Sequence, residues 1–172
     1  MLFIKSLMLC ASTALAFTTV SQVEIDITIV DKNFQTLNAE TSLYTGGAAS
    51  ASILASLITV HYSFAQSVAD CALLPPSLSE SDAVSLIEHI NATLAIDNVI
   101  AVDTLKSKKA FFKAEGLDNA VVTSLDLLLT AHEKFTIYVL QRLPEDQVAD
   151  GKKVTEVITL SLTAGIQYFQ SA

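Results

Sequence analysis

The sequence predicts an all-α protein: a single antiparallel bundle of four to five amphipathic helices. Three observations carry that expectation. Apolar residues recur at spacings of three and four along most of the chain, which is the period of one helix face. Only 5 Gly and 3 Pro interrupt 172 residues, too few breakers for a turn-rich β fold. Hydrophobic residues make up 51% and charged residues 16%, enough apolar surface for a core and too little charge for a disordered chain.

Met1 to Ala16 reads as a secretory signal peptide, with Lys5 as its charge, Leu7 to Ala11 as its apolar stretch and Ala14-Leu15-Ala16 as a small-x-small cleavage site,. Residues 17–172 then form the helical-bundle domain, with no linker dividing them. Ser21 and Glu24 have the spacing of a capping box for the first helix. Its face is Val23, Ile27, Val30, Phe34 and Leu37. A rival strand pattern, Val23-Ile25-Ile27-Ile29, stops before Phe34, so helix is preferred. Thr45-Gly46-Gly47 ends it. The second helix covers about Ala48 to Cys71, with Leu54, Leu57, His61, Phe64 and Val68 inward. Pro75-Pro76 then bars any helical continuation.

The third helix opens at Ser79 and carries Ala83, Ile87, Ile90, Leu94, Ala101, Leu105 and Phe112. Asp97 interrupts that stripe, so a bend or a second helix is expected there. Lys106, Lys108, Lys109 and Lys113 sit near its end, where cations suit the helix dipole, and Gly116 closes it. Those lysines read as a solvated helix end, with an anionic headgroup as the alternative. Asp118 caps the fourth helix, whose face is Val121 or Val122, Leu125, Leu128, His132, Phe135, Val139 and Leu143. Pro144 breaks it and starts the last helix, which carries Val154, Val157, Ile158, Leu162, Ile166 and Phe169. Gly151 and Gly165 would each cost that helix about 1 kcal/mol against Ala.

Composition and motifs exclude several function classes. A net charge of -8 argues against a nucleic-acid phosphate partner, and no stretch has the roughly 20 apolar residues of a membrane span. The last residues lack the long hydrophobic tail of a lipid-anchor signal. There is no Gly-x-Ser-x-Gly elbow, phosphate loop or Cys-x-x-Cys-His. His61, His89 and His132 have no partner at i+4, so no metal site, cofactor or catalytic residue is expected. Removal of the leader takes Cys10 and leaves Cys71 without an intrachain partner; it is expected to be a buried apolar residue, with an intermolecular disulfide as the alternative. Asn91-Ala92-Thr93 is the N-glycosylation sequon. The positive signal is an apolar surplus outside the main stripes, at Ile25, Ile29, Ile53, Ile58, Leu86, Val99, Val102 and Leu127. Together these point to an apolar cavity or surface.

The chain resembles a family of secreted fungal proteins, the hydrophobic surface-binding proteins and the related antigenic cell-wall galactomannoproteins. The resemblance runs from about Val23 to Phe169. It rests on Leu78-Ser79-Glu80-Ser81-Asp82-Ala83 with Ile87, Ile90 and Leu94, on Lys108-Lys109-Ala110-Phe111-Phe112 before Gly116-Leu117, on Phe135 and Leu143-Pro144, and on Ala164-Gly165-Ile166-Gln167-Tyr168-Phe169. It implies a secreted, non-enzymatic bundle that adsorbs to hydrophobic surfaces or holds a long-chain fatty acid, with secreted hydrolases as further partners. The alternative is a glycosylated structural wall mannoprotein. For a lipid-holding bundle the expected pocket is Leu57, His61, Phe64, Leu128, His132, Phe135, Ile158 and Ile166. His61, Tyr62 or Arg142 would meet a carboxylate, and Asn91 would carry a glycan.

Overall fold

The computed structural model describes residues 17–171; the expected signal peptide lies outside them. Among the described residues there are seven α-helices and no strand: α1 (Val20–Leu43), α2 (Ala49–Ala72), α3 (Glu80–Ala92), α4 (Leu94–Ser107), α5 (Lys109–Ala114), α6 (Asp118–Arg142) and α7 (Val148–Gln170). The all-α class holds, and the count exceeds the expected four to five. The excess comes from the predicted third helix, which breaks twice. At Thr93 the backbone leaves helical geometry (φ -124, ψ -90), and the Thr93 hydroxyl satisfies the freed His89 carbonyl at 2.7 Å. A second break at Lys108 turns the chain into α5, which Gly116 closes with φ +71, a conformation that glycine adopts without a Cβ penalty.

Neighbouring helices pack as a ring: α1 touches α2 and α4, α2 touches α6, α6 touches α7, and α7 returns to α4. The ring is not uniformly antiparallel. Glu24 meets Ser85, Thr28 meets His89 and Asn38 meets Thr104, so α1 and the α3–α4 pair run in the same direction. That departure from the expected bundle has its origin in chain order. With α1 and α2 forming a hairpin, α3–α4 returns beside the free flank of α1 and therefore points as α1 does.

In α1 the helical period wins over the strand pattern. Val23, Ile27, Val30, Phe34 and Leu37 are fully buried, while Ile25 and Ile29 are exposed. Its cap is Thr19, not Ser21: the Thr19 hydroxyl accepts from the Gln22 N–H at 3.1 Å. Glu24 instead accepts from the Ser85 hydroxyl across to α3 at 2.6 Å, so the capping-box spacing is coincidental. Two carboxyl pairs also face each other across the contacts of α1 with its neighbours. Gln35 Nε2 donates to Asp31 Oδ2 at 3.0 Å and to Asp97 Oδ2 on α4 at 2.7 Å. Asp26 lies beside Asp70 on α2 and accepts from Gln22. Asp26 and Asp31 are buried; burial first, and then the facing carboxylate, push each up to about 6,.

The seam of α2 is one position round from the expected stripe: Ile53, Leu57, Val60, Phe64, Ser67 and Cys71 face inward. Leu54, His61 and Val68 flank it, half-buried. A helix wedged between α1 and α6 presents a narrow seam of alternating three- and four-residue steps rather than a broad face. The seam of α6 falls at the expected positions, but Leu117 rather than Asp118 stands at its cap. After Pro144, a 3-10 turn at Glu145–Gln147 precedes α7; Pro144 therefore does not begin the helix itself. Val157, expected inward, is exposed. Gly165 has a structural requirement beyond its propensity cost. A Cβ there would lie 2.8 Å from Val102 Cγ1 and 3.2 Å from Leu125 Cδ1, so glycine sets how closely α4, α6 and α7 approach.

Candidate apolar site between α2 and α6

The centre of the bundle is an aromatic layer. Phe64 makes edge contacts with Phe34, Phe135 and His132 at ring separations of 6.2, 6.3 and 6.0 Å. Leu57, Phe64, Leu128, His132, Phe135 and Ile158, all expected in a pocket, are fully buried. They form a filled core rather than an open cavity. Ile166 is buried too, but it sits about three turns along α7 from Thr155, the residue facing His132. It therefore belongs to a different layer.

His132 is the polar centre of this layer. Its Nε2 donates to the Thr155 carbonyl at 3.0 Å, with the Thr159 hydroxyl at 3.1 Å. That fixes the proton on Nε2 and leaves Nδ1 as an acceptor, buried and without a partner among the described residues,. Burial pushes the imidazole down to about 4, against a smaller opposing effect of the Thr155 carbonyl. His132 is thus neutral at physiological pH.

An opening to the core lies at the side of the bundle, nearer the α5 end than this layer. A cleft of about 290 Å³ opens between α2 and α6, lined by Leu57, Ile58, His61, Tyr62, Ser124 and Leu127. Leu57 lines its inner side and is fully buried, so the cleft ends on the core about two turns of α2 from Phe64, at the level where α6 meets Gly165,. Ile58, Tyr62 and Leu127 form an exposed apolar rim. His61 Nδ1 is buried there without a hydrogen-bond partner among the described residues. The Ser124 hydroxyl is engaged by its own helix, donating to the Ala120 carbonyl at 2.9 Å. Of the expected pocket residues, Leu57 and His61 line this cleft; Phe64, Leu128, His132, Phe135 and Ile158 are packed in the core and Ile166 lies in a different layer. Of the three candidate carboxylate partners, His61 and Tyr62 are at the cleft. Arg142 is not: it sits at the end of α6 and donates to the Ala72 and Leu74 carbonyls at 3.3 Å. Ile58 and Leu127 belong to the apolar surplus, which is the sequence signal for this site; Ser124 has none.

A second depression, of about 350 Å³, lies between α3 and α7, with Val84, Ile87, Val154 and Val157 as its apolar part and Asn91, Asp150 and Lys153 around it. Asn91 is exposed on the last turn of α3, a position open to a glycan. Cys71 is a buried free thiol. Among the described residues no cluster of three or more His, Cys, Asp or Glu is placed to hold a metal. No described helix is long and apolar enough to cross a membrane.

Solved structures share this architecture. The structure of AFMP4P in complex with palmitic acid aligns with a TM-score of 0.83 at 18% identity, over 88% of this chain and 99% of that one. Ligand binding domain 2 of the Penicillium marneffei MP1 protein, complexed with multiple arachidonic acids, aligns with a TM-score of 0.83 at 21% identity, over 89% and 97%. Domain 1 of the same protein, with arachidonic acids, gives 0.81 at 20% identity, over 88% and 97%. At these identities the likeness is one of fold. No curated protein matches the chain. The family model for hydrophobic surface binding protein A matches residues 20–140, most of the described chain, and the protein belongs to that family.

Proposed function

We propose that this protein is a secreted, non-enzymatic carrier that takes the acyl chain of a long-chain fatty acid, or a lipid of similar shape, through the α2–α6 cleft into the bundle. The observation that carries the reading is the cleft itself, whose apolar rim leads onto the buried core residue Leu57. The fatty acids in the two structurally similar proteins support it. At about 290 Å³ the cleft is at the lower end of the roughly 300–1,000 Å³ of small-molecule pockets. A long chain therefore fits only as α2 and α6 move apart. Each buried methylene contributes about 0.8 kcal/mol, which offsets the loss of contacts between the two helices. His61 Nδ1, at the cleft, is the unpartnered group that a carboxyl would meet; His132 Nδ1 is an acceptor and would take a hydrogen bond only from a protonated carboxyl,. Asn91 is the proposed glycosylation site.

Native mass spectrometry of the secreted protein tests the reading, with identification of whatever is released on denaturation. A stoichiometric fatty acid, displaced or blocked in Ser124→Trp, is the expected result. A protein that stays ligand-free after palmitic acid is added would sink it. Adsorption to an apolar surface is the second reading, favoured by the exposed pairs Ile25/Ile29 on α1 and Ile96/Ile100 on α4. These pairs lie on adjacent, parallel helices. Adsorption predicts binding that grows with surface area and does not respond to Ser124→Trp.

A further inference from the structure

The lysines near α5 are not used by the cleft, and they stand out against the charge of the whole protein. Four of the 10 basic residues fall between positions 106 and 113, with no acidic residue among them, in a chain of net charge -8. The structure gathers them at one end of the bundle. Lys106 and Lys109 both sit over the Tyr168 ring, 5.7 and 5.2 Å from its centre, and Lys108 lies 5.9 Å from that of Phe111. Lys113 is exposed, and among the described residues the one ion pair is that of Lys106 with Asp103.

The same end presents apolar side chains. Phe112 is fully buried and anchors α5 against Phe169, at a ring separation of 6.0 Å. Its neighbour Phe111 consequently points outward. Tyr44 packs on Phe111 at 5.8 Å, which brings Leu43, 82% exposed, to the same edge.

Of the local acids, Asp118 at the start of α6 keeps one oxygen without a partner among the described residues, and two others are engaged. Asp103 pairs with Lys106 at 2.9 Å, and Glu115 is turned toward the Gly47 N–H. The opposite end has an acidic excess, with Glu80 and Asp82 opening α3 and Glu145, Asp146 and Asp150 before and within the first turn of α7, against Arg142, Lys152 and Lys153. The two ends are about 30 Å apart along α7.

We propose that the end of the bundle formed by α5 and the C-terminal turns of α1 and α7 docks on an anionic lipid surface. Lys108 and Lys113 face the headgroups, and Phe111 and Leu43 enter the interface. Charge separation along the bundle orients the molecule, since its acidic end is repelled by the same surface. Lysines beside exposed aromatic and leucine side chains are the chemistry of an interfacial contact, with apolar tips below the headgroups and cations among them. This surface is distinct from the α2–α6 cleft and does not depend on cargo.

Sedimentation of the full protein with vesicles tests it, comparing phosphatidylcholine alone with phosphatidylcholine containing phosphatidylserine. The expected result is sedimentation with the second only, weakened by salt. Lys108→Gln with Lys113→Gln should weaken it roughly twenty-five-fold, since one lysine near an anionic membrane is worth about five-fold. Phe111→Ser should weaken it at every salt concentration. Lys152→Gln with Lys153→Gln, at the far end, should leave it unchanged. Lys113→Gln alone, at an exposed side chain, keeps the test valid if the double variant misfolds. Equal binding to both vesicles, or equal loss in the far-end control, would overturn the proposal. So would tight binding to dextran sulfate without any vesicle binding, which would assign the patch to an acidic polysaccharide. Fatty-acid content measured on the same variants separates a failure here from a failure of the carrier reading.

Discussion

Replacing Asp31 by Asn should stabilise the protein at neutral pH and leave it unchanged in acid. Asp31 is 5% exposed and faces Asp97 across the α1–α4 contact. Gln35 donates to both carboxyls, but one Asp31 oxygen has no partner among the described residues. The folded protein therefore holds a proton on Asp31 up to about 6, against 3.8 for an ordinary carboxyl. Below 3.8 both folded and unfolded chains are protonated there, and the contribution to stability is fully present. It is lost as pH rises from 3.8 to about 6, and above that the pair is a liability. Taken at face value the difference is about 3 kcal/mol. Asp97 is half-exposed, and water screens the pair, so about 1–2 kcal/mol is the working figure. An asparagine at this position cannot ionise; it keeps an acceptor for Gln35 and offers an N–H to Asp97. Urea unfolding at pH 7.5 should show the variant more stable by about 1–2 kcal/mol, or a Tm higher by about 3–6 °C. At pH 4 the two proteins should coincide. The comparison must be made between proteins, because His132 opposes Asp31 within the wild type. An unfolded imidazole takes a proton near 6.5 and the buried one only near 4, so the His132 contribution is present at neutral pH and is lost toward acid. An Asp31→Asn protein that is less stable than the wild type at pH 7.5 while matching it at pH 4 would refute the reasoning. The Gln35 bond to a charged acceptor would then outweigh the repulsion.

Three other outcomes are expected from the packing. Gly165→Ala should cost about 1–3 kcal/mol in urea unfolding, because its Cβ would meet Val102 and Leu125,; a neutral result would mean that α7 shifts freely. The Cys71 thiol should resist a thiol reagent in the folded protein and react on denaturation, since burial and the nearby Asp26 and Asp70 carboxylates hold it far above its ordinary value,. Nitrogen NMR of His132 should show a neutral ring protonated on Nε2 at pH 6, titrating only near 4; a midpoint near 6.5 would place the ring in water.

The helices themselves are legible because each long rod carries its seam within a single stretch of sequence. Val23 to Leu37 and Val121 to Leu143 identify their faces without any knowledge of neighbours. Features that need two segments at once are not legible. Ser21 and Glu24 have capping-box spacing, yet Glu24 is drawn off by Ser85, 61 positions away. Asp26 and Asp31 sit beside the buried seam of α1, and nothing local shows that each will face another carboxylate. The double break of the third helix has a local trace at Asp97, but the turn occurs at Thr93, where the hydroxyl can take up the His89 carbonyl.

The site is legible in a displaced form, and the displacement has a physical cause. A residue on the seam of every helix is by construction in contact with the other helices, so Phe64, His132 and Phe135 fill one another's space. Strong inward periodicity identifies positions that are already packed, not those that are open. The accessible cleft is built from residues one step off the seam: Ile58 is next to Leu57 on α2, and Leu127 precedes Leu128 on α6. Each is anomalous within its own helix, an apolar side chain on a face that should be polar. They explain one another only once α2 and α6 are seen to be neighbours. On the proposed carrier reading, an apolar ligand entering at that pair would meet the seam from the side and widen the bundle where the cleft already parts the two helices. The ligand-facing residues of such a bundle are therefore to be sought among apolar misfits paired across adjacent helices, with the seam residues forming the wall that yields.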